Sequence, residues 1–183
     1  MDRLRSPCLL ALLLLFVTFF VVQARTLNTF EPDYDEGVYL AEAHLVAAGH
    51  GLYSEVHSAS PPLFIWGIAA IFRAAGGPAV LAVRLVILLT GALGLAATAR
   101  IGYRLAQPGG QETAALYAAL LLLWLPLWRY VGRVGMADIP SLSLSLLAIA
   151  LALEGWRGGR RWYALGGVAA GLALGIKLLA AYT

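Results

Sequence analysis

Long apolar runs, each closed by a short charged patch, govern what this chain can fold into. Pro7 to Ala24, Pro61 to Ala75, Pro78 to Ala106, Leu116 to Trp128, Leu142 to Leu153 and Trp162 to Ala181 carry few charges. A stretch of about 18 or more such residues can cross a bilayer as a helix. The charged fraction is only 13%, against about 25% in a soluble domain, and the mean hydropathy is +0.79. Barrel strands would alternate apolar and polar residues over roughly ten positions, and that pattern is absent. The expected fold is therefore all-α: a polytopic transmembrane helical bundle forming a single module over residues 1–183.

Charge sets the expected topology. The net charge is +3, but the arginines cluster in short loops, which speaks to orientation and excludes nucleic acid as a partner. The single cysteine, Cys8, lies in an apolar run and reads as a lipid-facing or packing residue, so there is no disulfide framework. Arg3 and Arg5 precede the first apolar run and place the N-terminus in the cytoplasm. Val22-Gln23-Ala24 loosely resembles a cleavage site, but with further spans downstream an uncleaved signal-anchor helix is the better reading.

The stretch Pro61–Ala75 decides the rest. If it spans, the loop with Arg100 and Arg104 falls outside. If it is interfacial, Arg100, Arg104 and the Arg157, Arg160, Arg161 cluster all fall inside. The second arrangement is chosen. It gives spans at about 7–24, 78–106, 112–128, 140–154 and 162–181, and an external loop 25–77 with an interfacial apolar helix at 61–75. Within that loop Glu36 to Ala48 reads as a surface helix, with Val38, Leu40, Ala41, Leu45 and Ala48 on its apolar side and Gly49 and Gly51 as stops. Gly91 and Gly94, and Gly166, Gly167, Gly171 and Gly175, read as close helix–helix contacts. The chain reads as the N-terminal part of something longer, inactive by itself.

The acids are few, and on this topology they share the external face. Asp35 and Glu36 open the surface helix, where a carboxylate suits the unpaired N–H groups and the helix dipole. The chemical alternative is a general base that deprotonates an acceptor hydroxyl at the membrane face. Glu31 and Asp33 beside them raise the negative potential, so a divalent cation is possible, although no ligand spacing is complete. Asp138 opens a later helix before Pro140 and could cap it or pair with Arg129 or Arg133. Lys177, about fifteen residues into the last helix, would either snorkel to headgroups or bind a lipid phosphate. His44, His50 and His57 have irregular spacing, without an HExxH pair. No phosphate-binding loop, nucleophile elbow or dinucleotide fingerprint is present, and no cofactor is identified.

The order of these elements resembles the N-terminal module of GT-C membrane glycosyltransferases, in the family of protein O-mannosyltransferases and lipid A aminoarabinose transferases. The likeness runs through Asp35-Glu36-Gly37-Val38-Tyr39, then Gly51-Leu52-Tyr53 and Ser60-Pro61-Pro62-Leu63. It continues through Asp138-Ile139-Pro140 to Gly171-Leu172-Ala173-Leu174-Gly175-Ile176-Lys177. The resemblance implies a polyprenyl-phosphate sugar donor and a lipid, glycan or protein acceptor on the non-cytoplasmic side, the plasma membrane's outer face in a prokaryote. It makes Asp35 the candidate base with Glu36 beside it and Asp138 the second acid of the site. Lys177 becomes a contact to the donor phosphate, with Tyr39 and Arg133 as further substrate-binding candidates. Some relatives carry a lysine where this chain has Ser60, which bears on recognition of a charged sugar. The alternative of another class is a non-enzymatic membrane protein, a transporter half or assembly subunit. A transporter should carry acids within its spans, whereas here they sit in loops and at helix ends.

Overall fold

The computed structural model describes residues 7–29 and 34–178. In chain order its helices are α1 (Pro7–Arg25), α2 (Tyr34–Ala47), α3 (Pro62–Ala75), α4 (Val80–Leu105), α5 (Gln111–Trp124), α6 (Pro126–Val131), α7 (Asp138–Gly158) and α8 (Arg160–Ile176). No strand occurs among the described residues; one isolated bridge, Leu52 to Val56, lies in the α2–α3 connection. Among the described residues three helices are long and apolar enough to cross a membrane: α1, α4 and the Asp138–Trp156 part of α7. The protein is an integral membrane helical bundle.

Two of the expected spans differ from the observed helices. The stretch at 112–128 is broken, because α5 stops at Trp124 and α6 starts at Pro126. Leu125 between them is extended, with φ −65° and ψ 129°, as the residue before a proline prefers. Within the stretch at 162–181, α8 ends at Ile176 and Lys177 is extended at φ −151° and ψ 124°; residues 179–181 lie outside the described residues. Lys177 therefore sits at the helix exit. Helix α3 has 14 residues and rises about 21 Å, short of the roughly 30 Å hydrocarbon core. It forms a hairpin with α2, fastened where Arg73 donates to the carbonyls of Val46 and Ala47.

Helix α4 is the central strut. Antiparallel α5 lies on one side of it and parallel α7 on the other, with α1 beside α4 and α5, and α8 antiparallel against α7. Small residues permit this closeness. A Cβ at Gly94 would stand 2.5 Å from Ser143 Oγ and 2.6 Å from the Trp128 ring, and one at Gly102 would stand 2.7 Å from the Ala114 carbonyl. Trp128 and Ser143 are fully buried there. Gly91 and Gly166 also sit at helix contacts, whereas Gly167 and Gly171 face open space, so only part of the expected glycine set serves packing. The outward faces of α1 and α4 remain apolar, with Leu13, Leu14, Val17, Leu85 and Leu89 exposed, as lipid contact requires.

Charged side chains form two belts. At one end Arg100 and Arg104 both donate to Glu154, their Nε atoms 2.7 and 2.6 Å from Oε1. The N-terminal end of α1 lies there too, with Cys8 Sγ 3.6 Å from Thr113 Oγ1. At the other end lie Arg84, Glu36, Asp138 and Lys177, under the α2–α3 hairpin. Along α4 the rise from Arg84 to Arg104 is about 30 Å, one hydrocarbon thickness.

Candidate active site at one end of the bundle

A buried ion pair organises this end. Arg84, on the first turns of α4, is only 7% exposed, and Glu36 on α2 only 4%. They meet as a fork, Nε to Oε1 at 2.9 Å and Nη2 to Oε2 at 2.6 Å. Arg84 Nη1 also donates to the carbonyls of Leu27 and Thr29, each at 2.7 Å. These are the carbonyls of the chain leaving α1. Glu36 Oε1 further accepts the Gly135 N–H at 2.7 Å. A Cβ at Gly135 would lie 3.0 Å from that oxygen, so glycine lets the carboxylate approach the backbone. Five bonds thus tie the α1 exit, α2, α4 and the loop before α7 into one unit.

The charge state follows from this geometry. Burial pushes the Glu36 carboxyl up, but hydrogen bonds from Arg84 and Gly135 and the Arg84 charge outweigh it, holding the group below the usual carboxylate range. Glu36 is an anion that already accepts three hydrogen bonds, two at Oε1 and one at Oε2. That is the position of a scaffold residue rather than of a base, and it is also more than the helix cap expected from the sequence.

Asp138 and Lys177 come together. Lys177 Nζ lies 2.6 Å from Asp138 Oδ1, both side chains partly exposed. The partner of Asp138 is therefore neither Arg129 nor Arg133. Helix packing makes the pair: α7 and α8 are antiparallel, and Ser141 Oγ donates to the Ala173 carbonyl at 3.2 Å one turn below. The extended backbone at Lys177 turns its side chain across the end of α7.

Asp35 is exposed, a helical step of about 100° from Glu36. It is one residue from Glu36, and Asp138 is three residues from Gly135, so the Glu36–Gly135 bond fixes both segments that carry these carboxylates. Tyr39 packs edge-on against Phe64 with ring centroids 5.2 Å apart, joining α2 to α3. Arg133 Nη1 donates to Thr26 Oγ1 at 2.9 Å, on the α1 flank away from α8. Glu31 and Asp33 lie outside the described residues.

The surface helix differs in detail from its expected form. Its buried residues are Glu36, Ala43 and Val46, with Tyr39, Leu40 and Ala47 partly buried against the core. Leu45, expected on the apolar side, is 44% exposed. The ion pair at Glu36 sets the rotation of the helix. On α2, Glu42 accepts from Ser58 Oγ at 2.8 Å, and in the connection beyond the helix Tyr53 OH donates to the Ser60 carbonyl at 2.6 Å. The Gly51–Tyr53 and Ser60 elements are thereby closed into one loop. Tyr53 adopts φ 72°, a left-handed conformation uncommon for a non-glycine residue.

Arg84 is the residue that sequence reasoning passed over. The signal was available: a lone cation inside an apolar helix is costly and needs a partner. Glu36 reads from sequence as a helix cap or a catalytic acid beside Asp35, and its pairing with a distant arginine does not show there.

No curated protein and no solved structure matches the chain. A family model described as dolichyl-phosphate-mannose-protein mannosyltransferase matches residues 59–183, more than half of the chain. The match contains Arg84, Asp138 and Lys177, whereas Asp35 and Glu36 precede it. The chain belongs to the dolichyl-phosphate-mannose-protein mannosyltransferase family, a family of GT-C membrane glycosyltransferases.

Proposed function

We propose that this protein transfers a hexosyl or pentosyl group from a polyprenyl-phosphate donor to a hydroxyl of a lipid, glycan or protein acceptor. The site lies on the non-cytoplasmic face, with the N-terminus in the cytoplasm. Asp35 accepts the proton of the acceptor hydroxyl, whose oxygen attacks the anomeric carbon with inversion. The sugar–phosphate C–O bond breaks and polyprenyl phosphate leaves with the electron pair. Lys177 receives the donor phosphate: an ammonium has three donors, and Asp138 occupies one. Asp138 then acts as a positioning residue that aims Lys177, a narrower role than second acid. A divalent cation, if one takes part, would be held by the acidic segment around Asp35.

The observation that carries this reading is the Asp138–Lys177 pair at the same end as the α2 carboxylates, in a chain of this family. The test uses membranes containing the intact protein and a polyprenyl-phosphate sugar. Asn caps helices about as well as Asp, so Asp35→Asn removes the proton-accepting charge while keeping the size of the side chain and its capping capacity. Transfer should fall by about 10²–10⁴ with normal insertion and abundance. Transfer at the wild-type rate in Asp35→Asn ends the assignment.

A further inference from the structure

A groove of about 400 Å³ opens between α1 and the α5–α6 break, on the flank of α4 opposite α7 and α8. Its apolar walls include Leu15, Phe19 and Val22 from α1 and Leu123 from α5, and Arg129 and Arg133 line it as cations. The break at Leu125-Pro126 creates the space, since α6 leaves the line of α5 and Trp128 turns inward against Gly94. Gln23 Nε2 then donates to the Arg129 carbonyl at 3.2 Å and fixes α6 on α1.

Among the described residues the Arg129 guanidinium makes no hydrogen bond or ion pair, and none of those that line the groove is an acid. Arg133 is held beside it through Thr26. From Thr26 at the charged end down to Leu15 the α1 rise is about 16 Å, half of a roughly 30 Å hydrocarbon core. The groove therefore runs from the charged end to mid-membrane and spans one leaflet.

We infer that this groove binds an anionic phospholipid of the bilayer, its phosphate on Arg129 beside Arg133 and one acyl chain along Leu15, Phe19, Val22 and Leu123. Charge complementarity selects a net-negative headgroup, and the depth matches a single acyl chain. The site is separate from the Asp138–Lys177 pair.

The intact protein is reconstituted in phosphatidylcholine nanodiscs with a trace of lipid carrying a diazirine in its tail, headed by either phosphatidylglycerol or phosphatidylcholine. Crosslinked peptides are mapped after illumination. The phosphatidylglycerol probe should label residues 15–22 and 123–130 in excess over the phosphatidylcholine probe. Arg129→Ala should cut that excess about fivefold, and Arg129→Lys should retain most of it. Added polyprenyl phosphate should leave the labelling unchanged. Equal labelling by the two probes, or an excess that survives Arg129→Ala in a correctly inserted variant, overturns the proposal. So does displacement by polyprenyl phosphate, which would make the groove a donor site.

Discussion

Glu36→Gln separates scaffold from catalysis at the acidic motif. The variant keeps the size of the side chain and one acceptor oxygen, but it removes the charge that meets Arg84 at 2.6 and 2.9 Å. Breaking a buried ion pair from one side costs about 3–5 kcal/mol. At roughly 2–4 °C per kcal/mol for a domain of this size, the melting temperature in detergent should fall by on the order of 10 °C. Removing both partners in Glu36→Leu/Arg84→Leu should cost less than the two single changes together, since no buried charge is stranded. Recovery stays incomplete because the Leu27 and Thr29 carbonyls lose their donor, at about 1–3 kcal/mol each. The pH dependence has a definite sign. The folded-state pKa of Glu36 is lowered, so its contribution is present above the unfolded value near ~4.3. It is lost as pH falls through the lower folded value. Wild type should therefore lose melting temperature on acidification below about pH 4, and Glu36→Gln should lose less. A Glu36→Gln protein with unchanged melting temperature but abolished transfer would refute the scaffold argument and make the group catalytic.

Three further outcomes are expected. Lys177→Ala should weaken donor use strongly with little change in abundance, and Lys177→Arg should retain part of the activity; an unchanged apparent donor affinity would leave the Asp138–Lys177 pair a structural contact only. In a Cys8→Ser background, single cysteines at Ser54, Gln107 and Gly158 should label from outside only at Ser54; external labelling at Gln107 would reverse the proposed orientation of the belts. Gly94→Ala places a Cβ against Ser143 and Trp128 and should cost about 1–3 kcal/mol, read as a lower melting temperature; an unchanged value would mean that α4 and α7 are less closely fitted than the geometry implies.

Two long apolar helices were legible because lipid imposes length and apolarity directly on sequence: the bounds of α1 and α4 lie close to the stretches 7–24 and 78–106. The broken stretch at 112–128 was marked by Pro126, but the apolar pattern runs through the break and hides it. The end of α8 was harder to see. Gly175 is no stronger a stop signal than Gly167 or Gly171, which the helix runs through, and Lys177 leaves the helix where its ammonium meets Asp138, 39 residues earlier in the chain. The same limit applies to Glu36 and Arg84, 48 residues apart. Amphipathic patterning turned α2 toward Leu45 because it weighs apolar residues, whereas one buried ion pair turned the helix the other way.

Adjacent acids in an Asp-Glu pair cannot face the same partner on a helix, since each residue turns by about 100°. Glu36 points inward, so Asp35 is directed away, toward the exposed side of the same end. One carboxylate is spent on holding the α1 exit and the Gly135 loop, and the other is thereby kept at a fixed place on the exposed side. A scaffold role for Glu36 and a proton-accepting role for Asp35 thus support each other. The first supplies the rigidity that the second needs, because a base must stay within hydrogen-bond reach of the hydroxyl it deprotonates. It also follows that loss of activity in Glu36 variants, taken alone, says nothing about which acid performs the chemistry. Only the contrast with Asp35→Asn, folded and inserted but silent, assigns it.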